Sequence, residues 1–375
     1  MKIHYRKNSF LPLAAALALL VNQATATTYT WDGSDTAFWN LPANWVDGAA
    51  PASANTTDII ISGTVNVGTM YPGNVSYTIK SLTFDASNDA DTKFSMQNGG
   101  NNNQAGRSLT FSSSSGNATL TVESGSTGNK TIDRLTGGLT GGNAANIILT
   151  SSLDIIHNGS GTLTLGNAIP GPLSGPSIVT GVGGINKSGT GTLSLPGANN
   201  YSGATAVTGG TLLVNGNIST SITTVSTGGT LAGTGTVGAT TIQTTGILAP
   251  GSGGIESLNT GALTLDSGSF SNFEINATLD TSDLAISSAL LTFGGTLNVN
   301  NIGGILLLGD TFNLFDWNTT TGAFSTLNLP GLDPGLTWDT GSLYTAGTIT
   351  VIPEPNVAAL LGGLGTILLL RRRRR

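Results

Sequence analysis

"GTGTLSLPGANNYSGATAVTGGTLLVNG", residues 189–216, holds one aromatic ring and no charged side chain. What it does hold is a phrase, Gly-Thr-Leu, that returns along the chain. Copies stand as "GSGTLTLG" from Gly159, "GTGTLSLPG" from Gly189, "GGTLLVNG" from Gly209, "GGTLAGTG" from Gly228, "GALTLDSG" from Gly261 and "GGTLNVN" from Gly294. Fainter forms, "KSLTF", "RSLTF" and "NATLTV", begin at Lys80, Arg107 and Asn117. Leu193, Leu212, Leu231 and Leu248 step by 19, 19 and 17 residues. Self-similarity at a near-fixed period is the mark of a solenoid. Each phrase is a Gly-bounded run with alternating apolar residues, such as Leu193 and Leu195 or Leu212 and Val214, so one face points inward. Strands this short bury no core alone; stacked as turns of a parallel β-helix they align Leu over Leu inside. Corner glycines supply the positive φ such turns need.

Composition agrees. The chain has 375 residues, 54 of them Gly, with only 9% charged and 38% hydrophobic. Charge is far below the roughly 25% of ordinary soluble domains, and the apolar residues are interleaved with Thr, Val and Ile. The expected fold is all-β, a parallel β-solenoid with few helices. Cysteine is absent, so no disulfide framework holds it.

The stretch "INKSGTGTLSLPGANNYSGATAVTGGTLLVNG" from Ile185 resembles the autotransporter-associated β-strand repeat of bacterial passenger domains, and "GGTLAGTGTVGATTIQTTGILAPGSGGIESLNTGALTL" continues it. The resemblance is strongest over 181–270. It implies a right-handed β-helix on a cell surface, with no catalytic residues to carry over. The long outer-membrane barrel that ends true autotransporters is missing from the pattern.

The two ends read as addresses. Lys2, Arg6 and Lys7 precede an apolar run over 10–21 and the small-residue site Ala24-Thr25-Ala26, so a secretory signal is expected over 1–26, cleaved between Ala26 and Thr27. The other end runs "IPEPNVAALLGGLGTILLLRRRRR" from Ile352. Residues 357–370 are apolar; as a helix they span roughly 21 Å, short of the ~30 Å hydrocarbon core. Arg371, Arg372, Arg373, Arg374 and Arg375 follow and should halt transfer, leaving the body on the outer side. This order resembles the PEP-CTERM sorting signal of exported Gram-negative proteins, carried by Pro353, Glu354 and Pro355. It implies a transient inner-membrane anchor, an exosortase-type membrane protease as processing partner, and release to the cell surface or extracellular matrix.

The expected organisation is a signal peptide over 1–26 and an N-terminal cap with early turns over 27–135. The repeat-bearing β-helix follows over 136–270, a C-terminal β region with an antiparallel cap over 271–352, and the sorting signal with its short hydrophobic helix over 353–375. Between Thr27 and Ile352 six basic residues (Lys80, Lys93, Arg107, Lys130, Arg134, Lys187) meet nineteen acidic ones, a net of 6 − 19 = −13. Phosphate binding depends on Lys and Arg, so nucleic acid is not an expected partner.

Chemistry-bearing residues are sparse. Beyond the signal peptide His157 is the one histidine; a place on a solvent-facing turn is expected for it. "GTGTVG", 233–238, fits G-x-G-x-x-G with Glu256 beyond it, but no helix pattern follows, so corner glycines are the reading. Asp85, Asp89 and Asp91, and Asp280 with Asp283, are the densest carboxylates and read as polar turns or at best a loose Ca²⁺ site. No cofactor, metal or catalytic residue is expected. The leading function is a non-enzymatic surface or matrix β-solenoid with a structural or adhesive role, envelope or matrix polysaccharide being its candidate target. Two alternatives stand: a β-helix polysaccharide lyase or glycosidase, marked by three carboxylates converging in one groove, and a carbohydrate-binding module, marked by an exposed platform of Trp31, Trp39 and Trp45.

Overall fold

The computed structural model of the chain describes residues 25–33, 37–63, 69–73, 75–96, 107–133, 146–167 and 178–355. Residues 1–24, the apolar segment 357–370 and the arginines 371–375 lie outside them. Each turn of the chain lays short strands on three faces, and neighbouring turns pair in parallel. On the first face Leu153–His157, Ile185–Ser188, Thr205–Val207, Thr223–Val225, Thr240–Ile242 and Leu263–Leu265 stack in order. On the second, Thr162–Leu165, Thr192–Ser194, Thr211–Leu213, Thr230–Gly233 and Ile247–Pro250 do the same. The third begins with Tyr77–Ile79, Leu109–Phe111, Ile147–Leu149 and Val179–Gly181. Among the described residues the only helix is the single 3₁₀ turn Pro42–Asn44, and none is long and apolar enough to cross a membrane.

Register follows the alternation. Leu163, Leu193, Leu212, Leu231 and Leu248 lie directly over one another, and all are fully buried. The first face carries a second ladder, Leu120, Ile155, Lys187, Val207, Val225, Ile242 and Leu265. The glycines of "GTGTVG" sit at corners: a Cβ on Gly233, Gly235 or Gly238 would collide with the carbonyl of Val214, Gly216 or Ser221 on the turn below, and Gly233 has φ 122°. Only a residue without a side chain admits that approach.

Both ends are plugged. Trp31, Trp39 and Trp45 are buried and pack edge to face, with centroids 5.2 Å apart for Trp31 and Trp45 and 5.8 Å for Trp39 and Trp45; Trp45 Nε1 donates to the Trp39 carbonyl at 2.8 Å. They cap the core and form no exposed platform. At the far end the parallel coil runs on further than the sequence pattern suggested. Phe315–Gly322 and Thr326–Asn328 still pair in parallel with Leu284–Phe293 and Thr296–Asn301. The antiparallel cap is confined to Thr311–Asn313, Leu336–Asp339 and Thr348–Pro353.

Candidate functional site

Among the described residues a groove of about 640 Å³ lies on the outer side of the second face. Its floor is the outward row Leu213, Ala232 and Ala249, in register over one another. One wall is the 250–254 loop; the other comes from the strands Phe270–Asn276 and Thr296–Asn301, which are longer than their predecessors and stand beyond them. Glu256 locks the loop, its Oε2 accepting from the Ser252 amide at 2.8 Å and the Ser252 hydroxyl at 2.7 Å. Asn272, Asn298 and Asn328 share one row, and their amides form a chain of side-chain hydrogen bonds: Asn298 Nδ2 to Asn272 Oδ1 at 2.8 Å, and Asn328 Nδ2 to Asn298 Oδ1 at 2.7 Å.

Asp283 lies at this wall. Expected on a polar turn, it is 2% exposed, and its carboxylate accepts from the Glu256 amide at 3.0 Å and the Glu274 amide at 2.8 Å. Burial pushes its carboxyl up to about 6, the two amides pull it down, and the neighbouring Glu274 and Glu256 charges push it up further. Asp280, by contrast, is an exposed turn residue with φ 54°. Three acidic residues therefore approach one another beside the groove, with Asp283 fixed on backbone amides and Glu256 on its loop. Among the described residues no set of three His, Cys, Asp or Glu is arranged to hold a metal. Asp85 staples a turn, its carboxylate accepting from the hydroxyls of Ser62 and Ser87, both at 2.6 Å. Partial burial raises its carboxyl and these hydrogen bonds outweigh that, leaving it below the usual range. Asp91 accepts from the Asn129 amide at 2.7 Å.

The interior holds His157, expected on a solvent-facing turn, together with two lysines. His157 is 1% exposed, on the inward side of its strand with Leu153 and Ile155; a Cβ on Gly191 of the next turn would strike its ring. Neither ring nitrogen makes a well-formed hydrogen bond. Burial, reinforced by Lys187 and opposed by a weak Gly161 backbone contact, brings its pKa down to about 4. Lys187 is fully buried, and its ammonium donates to the carbonyls of Ser188, Gly189 and Gly209 at 2.8, 3.1 and 3.0 Å. Lys130, also fully buried, donates to Asn88 and Ala90 carbonyls at 3.1 and 2.7 Å. Burial draws both lysines down to about 8.

At the two ends, Ala26 is exposed and Thr27 opens the first strand, paired with Thr57. Pro353 closes the last strand opposite Leu336. Glu354 and Pro355 follow it into solvent, the Glu354 amide donating to the Gly335 carbonyl at 2.9 Å.

Residues 185–214 match the passenger-associated-transport-repeat family. No curated protein matches the chain. The matched segment is the set of stacked strands Ile185–Ser188, Thr192–Ser194, Thr205–Val207 and Thr211–Leu213. The chain is thus a β-solenoid with a passenger-type repeat, an architecture that fits an exported, passenger-like surface protein.

Proposed function

We propose that this is a non-enzymatic β-solenoid of the bacterial surface or extracellular matrix, with a structural or adhesive role. It is anchored transiently in the inner membrane by 353–375 and freed by an exosortase-type protease. The observation that carries the reading is the passenger repeat set inside an unbroken parallel ladder. A stack in which every turn hydrogen-bonds its neighbours yields an extended body with a repeated surface, which suits a structural or adhesive role. For the sorting step, the support is the exposure of Glu354 and Pro355 where the chain leaves its last strand. Intact-mass measurement on protein from the native host tests it. The mature species should lack the arginine tail, and changing Pro353, Glu354 and Pro355 together to Ala should leave an uncleaved, membrane-retained chain. A mature protein still ending at Arg375 refutes the processing.

The groove favours a second reading, a glycan-processing enzyme using Asp283 as acid and Glu274 as its partner, because a carboxyl poised near pH 6 in a cleft is what acid catalysis needs. New reducing ends on incubation with neutral polysaccharides, lost in Glu274→Gln, would establish it. Their absence leaves the non-enzymatic reading.

A further inference from the structure

Twelve large apolar side chains are well exposed among the described residues, and most stand singly, as on any protein surface. Five are gathered at one place. Ile305 is 71% exposed, Leu307 and Leu308 are 60% each, and Ile302 and Leu279 adjoin them, the 277–279 turn being tied to this loop by the Ala277 amide donating to the Gly303 carbonyl at 2.7 Å. The loop is held in this shape. Leu307 N donates to Asp310 Oδ2 at 2.8 Å while Asp310 N returns a bond to the Leu307 carbonyl at 3.1 Å. Asn301 Nδ2 fixes the Gly304 carbonyl at 2.9 Å, and Leu306 points inward as the anchor. Water is a poor solvent for such a surface, and rigid staples that keep it exposed imply that something else covers it.

Its position says what. Gly309 N donates to the Val351 carbonyl and Val351 N to the Asp310 carbonyl, each at 2.9 Å, so the apolar loop flanks the end of the strand Thr348–Pro353. Two residues after Pro355 the sequence turns apolar, over 357–370. We propose that Ile305, Leu307 and Leu308, with Leu279 and Ile302, rest in the headgroup and acyl boundary of the membrane that 357–370 enters, mooring the body at a second point. This rests on the reading of 353–375 as an anchor. It also resolves a difficulty in that reading: a 14-residue apolar helix falls short of the hydrocarbon core by about 9 Å. Interfacial apolar side chains sink about 5–10 Å, and a body held this close to the leaflet keeps the short span seated while the bilayer thins locally around it. The attraction is apolar, because no Lys or Arg lies between Lys187 and Arg371, and Asp333 borders the same loop; a neutral leaflet suits it better than an anionic one.

The chain lacks cysteine, so Leu308→Cys and, on an exposed turn at the other end of the coil, Ser115→Cys each give a single labelling site for an environment-sensitive fluorophore. The full chain is reconstituted in phosphatidylcholine vesicles carrying doxyl-labelled acyl chains and floated on a density gradient. The Leu308 label should lose most of its emission to the doxyl groups and the Ser115 label should keep its own. Adding Ile305→Asp and Leu307→Asp should abolish the quenching while flotation persists. A floating chain whose Leu308 label is unquenched overturns the second mooring and spares the anchor; if that label is shielded from water yet unquenched, the loop is covered by the chain's own tail or by a second copy. A chain that does not float refutes the anchor, and the mooring falls with it.

Discussion

His157 and Asp283 are buried ionisable groups whose contributions to stability run in opposite directions with pH. His157 is depressed from 6.5 to about 4, so the native state binds fewer protons than the unfolded chain between those values. Its contribution is complete above pH 6.5 and is lost as pH falls toward 4. Asp283 is raised from 3.8 to about 6, so the native state binds more protons there. Its contribution is most favourable below pH 3.8 and is lost as pH rises through 6. Each amounts to at most about 3 kcal/mol, and together they nearly cancel. Between pH 6.5 and 4 the two trends therefore oppose each other in the urea midpoint of the unaltered chain, with Asp133, also raised by burial, adding to that of Asp283. Asp283→Asn, which keeps an acceptor for one of the Glu256 and Glu274 amides, should leave a protein that weakens as pH falls. His157→Leu should leave one that strengthens over the same interval. Matching slopes for the two variants would show that neither group titrates as its surroundings dictate.

At the scale of the strand, the inward row is what holds successive turns together. Leu212 lies between Leu193 and Leu231 with no exposed surface, so Leu212→Asp places an unpaired charge in the stack and should cost more than about 4 kcal/mol. Thr208→Asp, on an exposed position just outside the strand, should change stability by no more than about 0.5 kcal/mol. Chemical denaturation of the two variants compares them directly; equal losses would contradict the inward assignment. This row was fully legible in the sequence, because a period of two within the phrase and a step of 19 between phrases fix both face and register. His157 and Lys187 were legible by the same rule, in "LDIIH" after Leu153 and Ile155 and in "INKS" after Ile185, where alternation puts a polar side chain inside. The habit of placing charged residues in water hid them. The parallel strands over 315–328 were masked because Gly-Thr-Leu decays to Ser-Thr-Leu and the step between rungs widens to 30, from Leu297 to Leu327. The groove wall left one trace, the paired "TLN" of 296–298 and 326–328. Its depth comes from strand length and the 250–254 loop, which no local pattern encodes.

For the whole molecule, the charge count decides which partners can approach. Two of the six basic residues of the body, Lys130 and Lys187, are buried, and so are two of the nineteen acidic ones, Asp133 and Asp283, so the net of −13 is carried at the surface; Lys80 and Lys93 face Asp58 and Asp133 at 3.7 and 2.9 Å. The groove follows the same bias, with amides, hydroxyls and carboxylates on its walls and no cation. A polyuronate or a nucleic acid brought to it meets repulsion that reaches about 30 Å at 0.01 M salt. An uncharged or amine-bearing polysaccharide meets none and finds hydrogen-bonding groups along the asparagine row. If the proposed adhesive role uses this groove, binding on a glycan array at low salt should be confined to neutral and amino-sugar polymers. Retention should weaken with Asn298→Arg, which plants a long side chain on the groove wall at a partly exposed position. Salt should leave neutral ligands bound and release amine-bearing ones, because only the latter are held by unscreened charge. Firm binding to polyuronates, or neutral-glycan binding that ignores Asn298→Arg, would mean that adhesion does not use this groove.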